Sequence, residues 1–219
     1  ILTSSLLERD LLLQMCDRIS RELAKYGGEV ATRLVDELKT RQIEEIHWLE
    51  DALKGNIDGF EAEARRLETD PSVLFFVASM LIQPCLEEVA RGVTTSFLDE
   101  WGKIRCPVCG RQPSIARRRG GKRYLDCSFC GAEYTSDPFV CVHCHNRDPY
   151  TLKFIVPDDL PGLQVDFCEK CRHYLKVIEE EKVRSRFPRG LEDPLTQALD
   201  LLAADAGLAQ MRPLDQPYG

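Results

Sequence analysis

The sequence predicts an α+β protein in which an N-terminal α-helical bundle precedes two small metal modules and a C-terminal helix. Two observations carry this prediction. Apolar residues recur at helical spacing over the first half, whereas from Cys106 they form short runs separated by Pro, Gly and Asp. Eight of the ten cysteines lie after that change, in four Cys-x-x-Cys pairs. We therefore expect a helical domain at 1–104, metal modules at 105–139 and 140–190, and a C-terminal helix and tail at 191–219.

Four helices are predicted in the first half. The first helix is expected between a cap at Ser4 or Ser5 and a stop at Gly27-Gly28, and its residues 12–26 place apolar side chains at steps of three and four, one stripe of an amphipathic helix. Further helices are expected at 29–54 and 58–67. The last begins at Asp70-Pro71, a capping residue followed by a first-turn proline. Its apolar run is shorter than the about 20 residues of a transmembrane helix, so we expect a core helix and no membrane insertion.

Short strands are predicted in the second half. The runs 153–156 and 163–167 are apolar and bounded by turn residues, which is typical of small hairpins. Gly120-Gly121 is the expected tip of a further hairpin. A last helix is expected from Glu192 to Ala209, and the tail 211–219 is expected to be coil.

Composition and charge exclude several classes of protein. Hydrophobic residues make up 43% and charged residues 30% of the chain, as in ordinary globular proteins. Residues 1–105 carry 13 Lys and Arg against 20 Asp and Glu, a net charge of −7, and the remainder is balanced at 16 of each sign. An acidic helical half argues against a protein whose main role is to wrap nucleic acid. We see no secretion signal, because no basic region precedes an apolar run and cleavage site.

The four Cys-x-x-Cys pairs predict two metal sites. Two cysteines three residues apart in a tight turn aim both sulfurs at one point, so two such turns complete a tetrahedral thiolate site. Gaps of 17 and 23 residues favour joining the first pair to the second and the third to the fourth, although crossed or nested pairings stay open. The predicted ligands are Cys106, Cys109, Cys127, Cys130, Cys141, Cys144, Cys168 and Cys171.

Other uses of these cysteines fit less well. Disulfides need an oxidising compartment, which the composition does not indicate, and a thioredoxin-like site uses one Cys-x-x-Cys rather than four. Iron and zinc both accept four thiolates, so the sequence does not choose between them. Four cysteine ligands leave no open position for substrate, which favours a structural or electron-transfer metal and a protein that is not an enzyme. Cys16 and Cys85 lie in predicted helices and are expected to be core residues.

The residues that follow each pair differ between the modules. Gly110 and Gly131 follow the first two pairs, where glycine accepts a positive φ without a Cβ clash. His145 and Arg172 take those places in the second module, where arginine gains nothing from the left-handed region. Three histidines are alternative ligands, but with four sulfurs present we expect them to surround the site without coordinating: His143, His145 and His173.

Arginines cluster between the cysteine pairs of the first module. Four thiolates around one divalent ion leave a local charge of −2, which nearby arginines can offset. The same cations can instead bind an acidic partner segment or phosphates. No aromatic residue interleaves the arginine run, so a base-stacking surface is not indicated. We expect charge balance together with a protein contact, and the candidate contact residues are Arg117, Arg118, Arg119 and Arg123.

Several stretches resemble the FdhE family of formate dehydrogenase accessory proteins. They are Cys106-Pro-Val-Cys-Gly-Arg-Gln-Pro113, Arg123-Tyr-Leu-Asp-Cys-Ser-Phe-Cys130 with Glu133, and Cys168-Glu-Lys-Cys-Arg-His-Tyr-Leu-Lys176. The Asp70-Pro71 start and the stretch Gln83-Pro84-Cys-Leu-Glu are similar too. Tyr134 stands where the resemblance leads us to expect tryptophan.

The resemblance implies a helical N-terminal part followed by two rubredoxin-like or zinc-ribbon-like metal modules, each with four cysteine ligands and a site associated with iron. It also implies a cytoplasmic assembly factor that binds the catalytic subunit of formate dehydrogenase and supports its maturation. Two alternatives remain: a zinc-ribbon protein that binds nucleic acid, which the acidic half disfavours, and a small rubredoxin-type electron carrier. The sequence leaves the oligomeric state open, a homo-oligomer included.

Overall fold

The computed structural model describes residues 58–183, 187–188 and 190–210, together with residues 51–53, residue 56 and isolated positions between 14 and 36. Apart from those positions, the predicted helices 12–26 and 29–54, Cys16 and the tail 211–219 lie outside the described residues. The chain divides into two compact units, one reaching Glu88 and the other beginning at Val89. The four domain ranges expected from the sequence stay predictions.

The first unit holds most of the described helix. A 3-10 turn at Asp58–Phe60 leads into helix α1 at Glu61–Arg66, and helix α2 spans Pro71–Gly92. The Asp70 carboxylate accepts a hydrogen bond from the Ser72 N–H at 2.7 Å, so α2 begins where the sequence predicts. Among the described residues, α2 is the one helix long and apolar enough to cross a membrane, a test that core helices also pass. Its buried face is Leu74, Val77, Ala78, Leu81, Ile82 and Leu86.

The second unit is built on one continuous sheet. Helix α3 at Thr95–Glu100 precedes six strands in the spatial order β3-β2-β1-β6-β5-β4, and a two-residue strand β7 pairs with β6. The strands are β1 Ile115–Arg119, β2 Lys122–Asp126, β3 Glu133–Ser136, β4 Leu152–Ile155, β5 Leu163–Cys168, β6 His173–Glu179 and β7 Ala209–Gln210.

The sheet joins the two cysteine modules, which corrects the expectation of small separate hairpins. Strands β1–β2, β2–β3, β4–β5 and β5–β6 pair antiparallel, as hairpins do. Strand β1, however, lies parallel to β6, with Arg117 opposite Ile178. Parallel pairing joins segments that are distant in sequence, so no local pattern announces it.

The tip of the first hairpin is Gly120-Gly121, as predicted. Arg119 faces Lys122 across the turn, and the two glycines have φ angles of 54° and 73°. A two-residue turn with positive φ at both positions matches the right-handed twist of the flanking strands.

The C-terminal helix is shorter than predicted. It is split into α4 at Glu192–Leu195 and α5 at Gln197–Asp205, and Ala209, the residue expected to end it, begins β7 instead. Gly207, with φ of 66°, stops the helix, and Ala209 then pairs with His173. Helix α5 packs on the sheet in a core that includes Ile115, Val165, Ile178, Leu199 and Ala203.

Candidate metal centres

All four Cys-x-x-Cys turns share one backbone conformation. In each turn the residue after the second cysteine donates its N–H to the carbonyl of the first cysteine, at 2.8 to 3.1 Å. That residue also has a positive φ in every turn. The conformation suits glycine, whereas a residue with a Cβ adopts it at a cost of about 1–2 kcal/mol. The four residues are Gly110, Gly131, His145 and Arg172, with φ of 73°, 69°, 58° and 60°.

Arg172 makes hydrogen bonds that help to offset the cost of its positive φ and that the sequence did not reveal. Its guanidinium donates to the carbonyls of Ala206 and Gly207, at 2.7 and 3.2 Å, just beyond the last turn of α5. Its own carbonyl accepts the N–H of Ala209 at 2.9 Å. The strained turn therefore also anchors the end of the C-terminal helix.

The first tetrad consists of Cys106, Cys109, Cys127 and Cys130. Its four sulfurs all lie within 4.8 Å of one another, with Cys106–Cys130 and Cys109–Cys127 separations of 3.4 Å. Three of the four residues are buried, and Cys109 is half-buried. Hydrogen bonds from the other three thiols lower the pKa of Cys127 well below its usual range. One thiolate is therefore favoured, and a metal ion bound by this tetrad would displace the remaining thiol protons.

Two further side chains support the first tetrad. Tyr134 is completely buried and donates its hydroxyl to the Ile104 carbonyl at 2.7 Å. Burial, and then the neighbouring thiolates, raise the pKa of this hydroxyl well above its usual value, so it stays a neutral donor. The buried Arg111 guanidinium lies 3.3 Å from the centroid of the Phe129 ring, within the first module. Arg111 is thus a buried arginine of the kind that the sequence suggested for offsetting thiolate charge.

The second tetrad consists of Cys141, Cys144, Cys168 and Cys171. Its sulfurs also lie within 4.8 Å of one another, and the Cys141–Cys171 and Cys144–Cys168 separations are 3.7 Å. This tetrad is more open, because Cys144 is exposed and Cys171 is half-buried. Burial disfavours the Cys168 thiolate, but the N–H groups of Cys171 and Lys170 and the Asn146 amide outweigh it and lower the pKa of Cys168 to about 7.

The sulfur separations suit a tetrahedral ion. Metal–sulfur bonds of about 2.3 Å place the corners of a tetrahedron about 3.8 Å apart, close to the distances in both tetrads. The structure joins the first Cys-x-x-Cys pair to the second and the third to the fourth, which was the favoured arrangement. Two groups of four cysteines can therefore each hold a metal ion, and iron and zinc fit equally. Cys85, by contrast, lies half-buried in α2 and belongs to neither tetrad.

The four candidate contact arginines take part in interactions within the chain. Arg117 pairs with Asp126, Glu180 and Glu192. Arg118 reaches Asp166 at 2.6 Å and Glu179 at 3.1 Å. Arg119 pairs with Glu133 and lies 3.8 Å from the Tyr124 ring centroid. Arg123 is buried and donates to Ser136 and to the carbonyls of Asp137 and Val140, and burial lowers its pKa. Their contact with a partner stays a prediction.

Sequence reasoning missed a buried lysine. Lys176 belongs to the Tyr-Leu-Lys stretch of the resemblance, but its ammonium faces inward from β6 and is 1% exposed. It donates to the Asp193 carbonyl and to Asp200 Oδ2, both at 2.9 Å. The apolar residues on either side of it, Leu175 and Val177, gave no sign of a charge that the sheet buries.

Sequence comparison finds similarity to proteins named FdhE. No family model matches the chain. A protein from Aquifex aeolicus named Protein FdhE homolog is 32% identical over 148 residues, which are 65% of this chain and 51% of that protein. One of the same name from Haemophilus influenzae strain PittGG is 27% identical over 168 residues, 70% of this chain and 55% of that protein. The chain is therefore similar to the FdhE proteins over about two thirds of its own length.

The FdhE resemblance extends to the fold. The crystal structure of the FdhE protein from Pseudomonas aeruginosa matches with a TM-score of 0.68 and 22% identity, covering 95% of this chain and 72% of that one. The resemblance drawn from the cysteine stretches is thereby confirmed. The chain spans about half the length of the curated FdhE relatives it matches.

Proposed function

We propose that this chain is a cytoplasmic accessory factor for formate dehydrogenase, which binds the catalytic subunit and supports its maturation without catalysing a reaction itself. The observation that carries the proposal is the pair of cysteine tetrads in a chain similar to the FdhE proteins. Each tetrad supplies all four ligands of a tetrahedral ion, so neither leaves a coordination position for a substrate. A bound ion there acts as a structural or redox-sensitive element rather than as a Lewis acid.

We propose that the eight cysteines of the tetrads are metal ligands and that they hold two ions per chain. The first tetrad lies at strand ends next to the arginine hairpin, which is the β1–β2 pair with its four candidate arginines. Cys127 directly follows β2, and β3 begins at Glu133, shortly after Cys130. A metal ion that fixes both turns orders the hairpin before any partner arrives. Preordering lowers the entropic cost of binding and so raises affinity for the partner.

Among the proposed contact arginines, Arg119 is the best candidate for binding a partner, because its side chain is the most exposed. Its side chain is 39% exposed, compared with 29% for Arg118 and 10% for Arg117. Because Glu133 and Glu180 already pair with Arg119, a partner carboxylate would have to share its guanidinium. We therefore expect Arg119→Gln to weaken partner binding severalfold, and Lys122→Gln, at the exposed other side of the same turn, serves as the matched control.

The test is capture of a co-expressed formate dehydrogenase catalytic subunit by the tagged chain. Cys109→Ser should reduce capture at least tenfold and lower the metal content by about one ion. Cys85→Ser, which removes a thiol outside both tetrads, should change neither. The isolated chain should show no formate oxidation with an artificial electron acceptor. Equal capture by Cys109→Ser, or formate turnover by the chain alone, would refute the proposal.

A further inference from the structure

Two histidine rings stack beside the second tetrad. The ring centroids of His143 and His173 are 3.6 Å apart and the rings are inclined by 24°. A nitrogen of each ring and the Cys171 sulfur all lie within 4.8 Å of one another. Two imidazole nitrogens and a cysteine sulfur therefore lie close together, and zinc and other borderline divalent ions accept that set of donors.

The hydrogen bond made by His173 prepares its ring to bind a metal. Its Nδ1 lies 2.7 Å from the Cys171 carbonyl oxygen. A carbonyl can only accept, so Nδ1 carries the hydrogen, and Nε2 of the neutral ring keeps its lone pair. Metal-binding histidines in proteins characteristically donate their other ring N–H to a carbonyl or carboxylate in this way.

We propose that His143, His173 and Cys171 hold an additional divalent ion, with the Cys171 thiolate bridging it to the ion of the second tetrad. The inference rests on the proposed tetrathiolate site. Four thiolates and one divalent ion carry a net charge of −2, and the additional ion brings the cluster to neutrality. Because the two rings are stacked, one of them must turn before both nitrogens can bind one ion. The χ2 torsion of histidine is soft, and turning the His143 ring leaves the His173 hydrogen bond in place.

The additional ion is reachable and exchangeable. A cavity of about 450 Å³ has His143 and His173 in its wall, together with Cys141 and Cys168 of the tetrad. Three protein ligands leave one corner of a tetrahedron for water or a small ligand, as in zinc sites that keep an open position. This position therefore differs in chemistry from the two closed tetrads.

The first module supplies a natural control. Val108 occupies the place of His143 in its first turn, and Ala132 occupies the place of His173 after its second turn. The first tetrad thus has a valine and an alanine where the second has imidazoles. The double variant His143→Val with His173→Ala gives the second module the side chains of the first and leaves all eight cysteines intact.

Native mass spectrometry of the full chain, reduced and titrated with Zn²⁺, counts the ions directly. We expect three ions on the unmodified chain and two on the double variant. NMR of the imidazole nitrogens should show a metal-shifted Nε2 and a protonated Nδ1 for His173. Saturation at two ions in the unmodified chain, or three ions in the double variant, would overturn the inference. Fewer than two ions on the double variant would instead refute the tetrathiolate sites on which it rests.

Discussion

Replacing Lys176 with methionine should loosen the C-terminal helices while leaving both tetrads in place. The ammonium of Lys176 ties β6 to α4 through the Asp193 carbonyl and carboxylate, and to α5 through Asp200. The Tyr174 hydroxyl donates to the other oxygen of Asp200, at 2.8 Å. Methionine keeps the apolar stem of the side chain but removes the charge that both carboxylates face.

The magnitude follows from how buried each partner is. Breaking a fully buried ion pair costs about 3–5 kcal/mol. The Asp200 and Asp193 side chains are 27% and 40% exposed, so water solvates them in part once the ammonium is gone. We therefore expect Lys176→Met to cost about 2–3 kcal/mol in the free energy of opening α5, a roughly 30- to 140-fold rise in the open population.

Hydrogen exchange of the metal-bound protein measures this opening locally. Amides of Gln197–Asp205 should exchange about 30- to 140-fold faster in Lys176→Met. The control Tyr174→Phe removes one hydrogen bond to the same carboxylate and should accelerate exchange only about 2- to 12-fold. A change below about fivefold in α5 for Lys176→Met would show that the ammonium does not hold the helix. Loss of metal would show that its effect is not local.

Three further predictions address the tetrads and the turn. Tyr134→Phe leaves the Ile104 carbonyl without its hydrogen bond, so the free energy of unfolding measured with urea should fall by about 1–3 kcal/mol and the first tetrad should release its ion faster. Gly121→Ala, at φ of 73°, should lower the free energy of unfolding by about 1–2 kcal/mol in the same titration. Gly92→Ala, where an added methyl meets nothing within 4 Å, should leave that free energy unchanged or raise it. Under a competing chelator, monitored by mass spectrometry, the second tetrad should lose its ion first, because Cys144 is exposed.

Features encoded by neighbouring residues could be predicted from the sequence. The start of α2 at Asp70-Pro71, the hairpin tip at Gly120-Gly121 and the pairing of adjacent cysteine turns each depend on a few consecutive residues or on a short gap. Because such signals depend on local backbone conformation, they can be recognised in a single sequence.

Features that join distant segments of the chain could not be predicted from the sequence. The parallel pairing of β1 with β6 and the carboxylates that face the hairpin arginines come from residues far along the chain, such as Asp166 and Glu192. An arginine run therefore looks like a free cationic surface in sequence, although the fold supplies acceptors for it. For the same reason, the sequence does not show that Arg172, at positive φ, hydrogen-bonds to carbonyls beyond α5.

The seam between β1 and β6 couples the two metal modules. Strand β6 begins two residues after Cys171, and Arg118 on β1 reaches Glu179 on β6 and Asp166 on β5. The second cysteine module is therefore held to the first by backbone pairing and by ion pairs that span the seam. We expect that loss of an ion from the second tetrad would free the start of β6 and so loosen the strand that pairs with β1. By this route, a metal-dependent change in the more open second tetrad would alter the surface proposed to contact the partner, without a ligand binding at the hairpin itself.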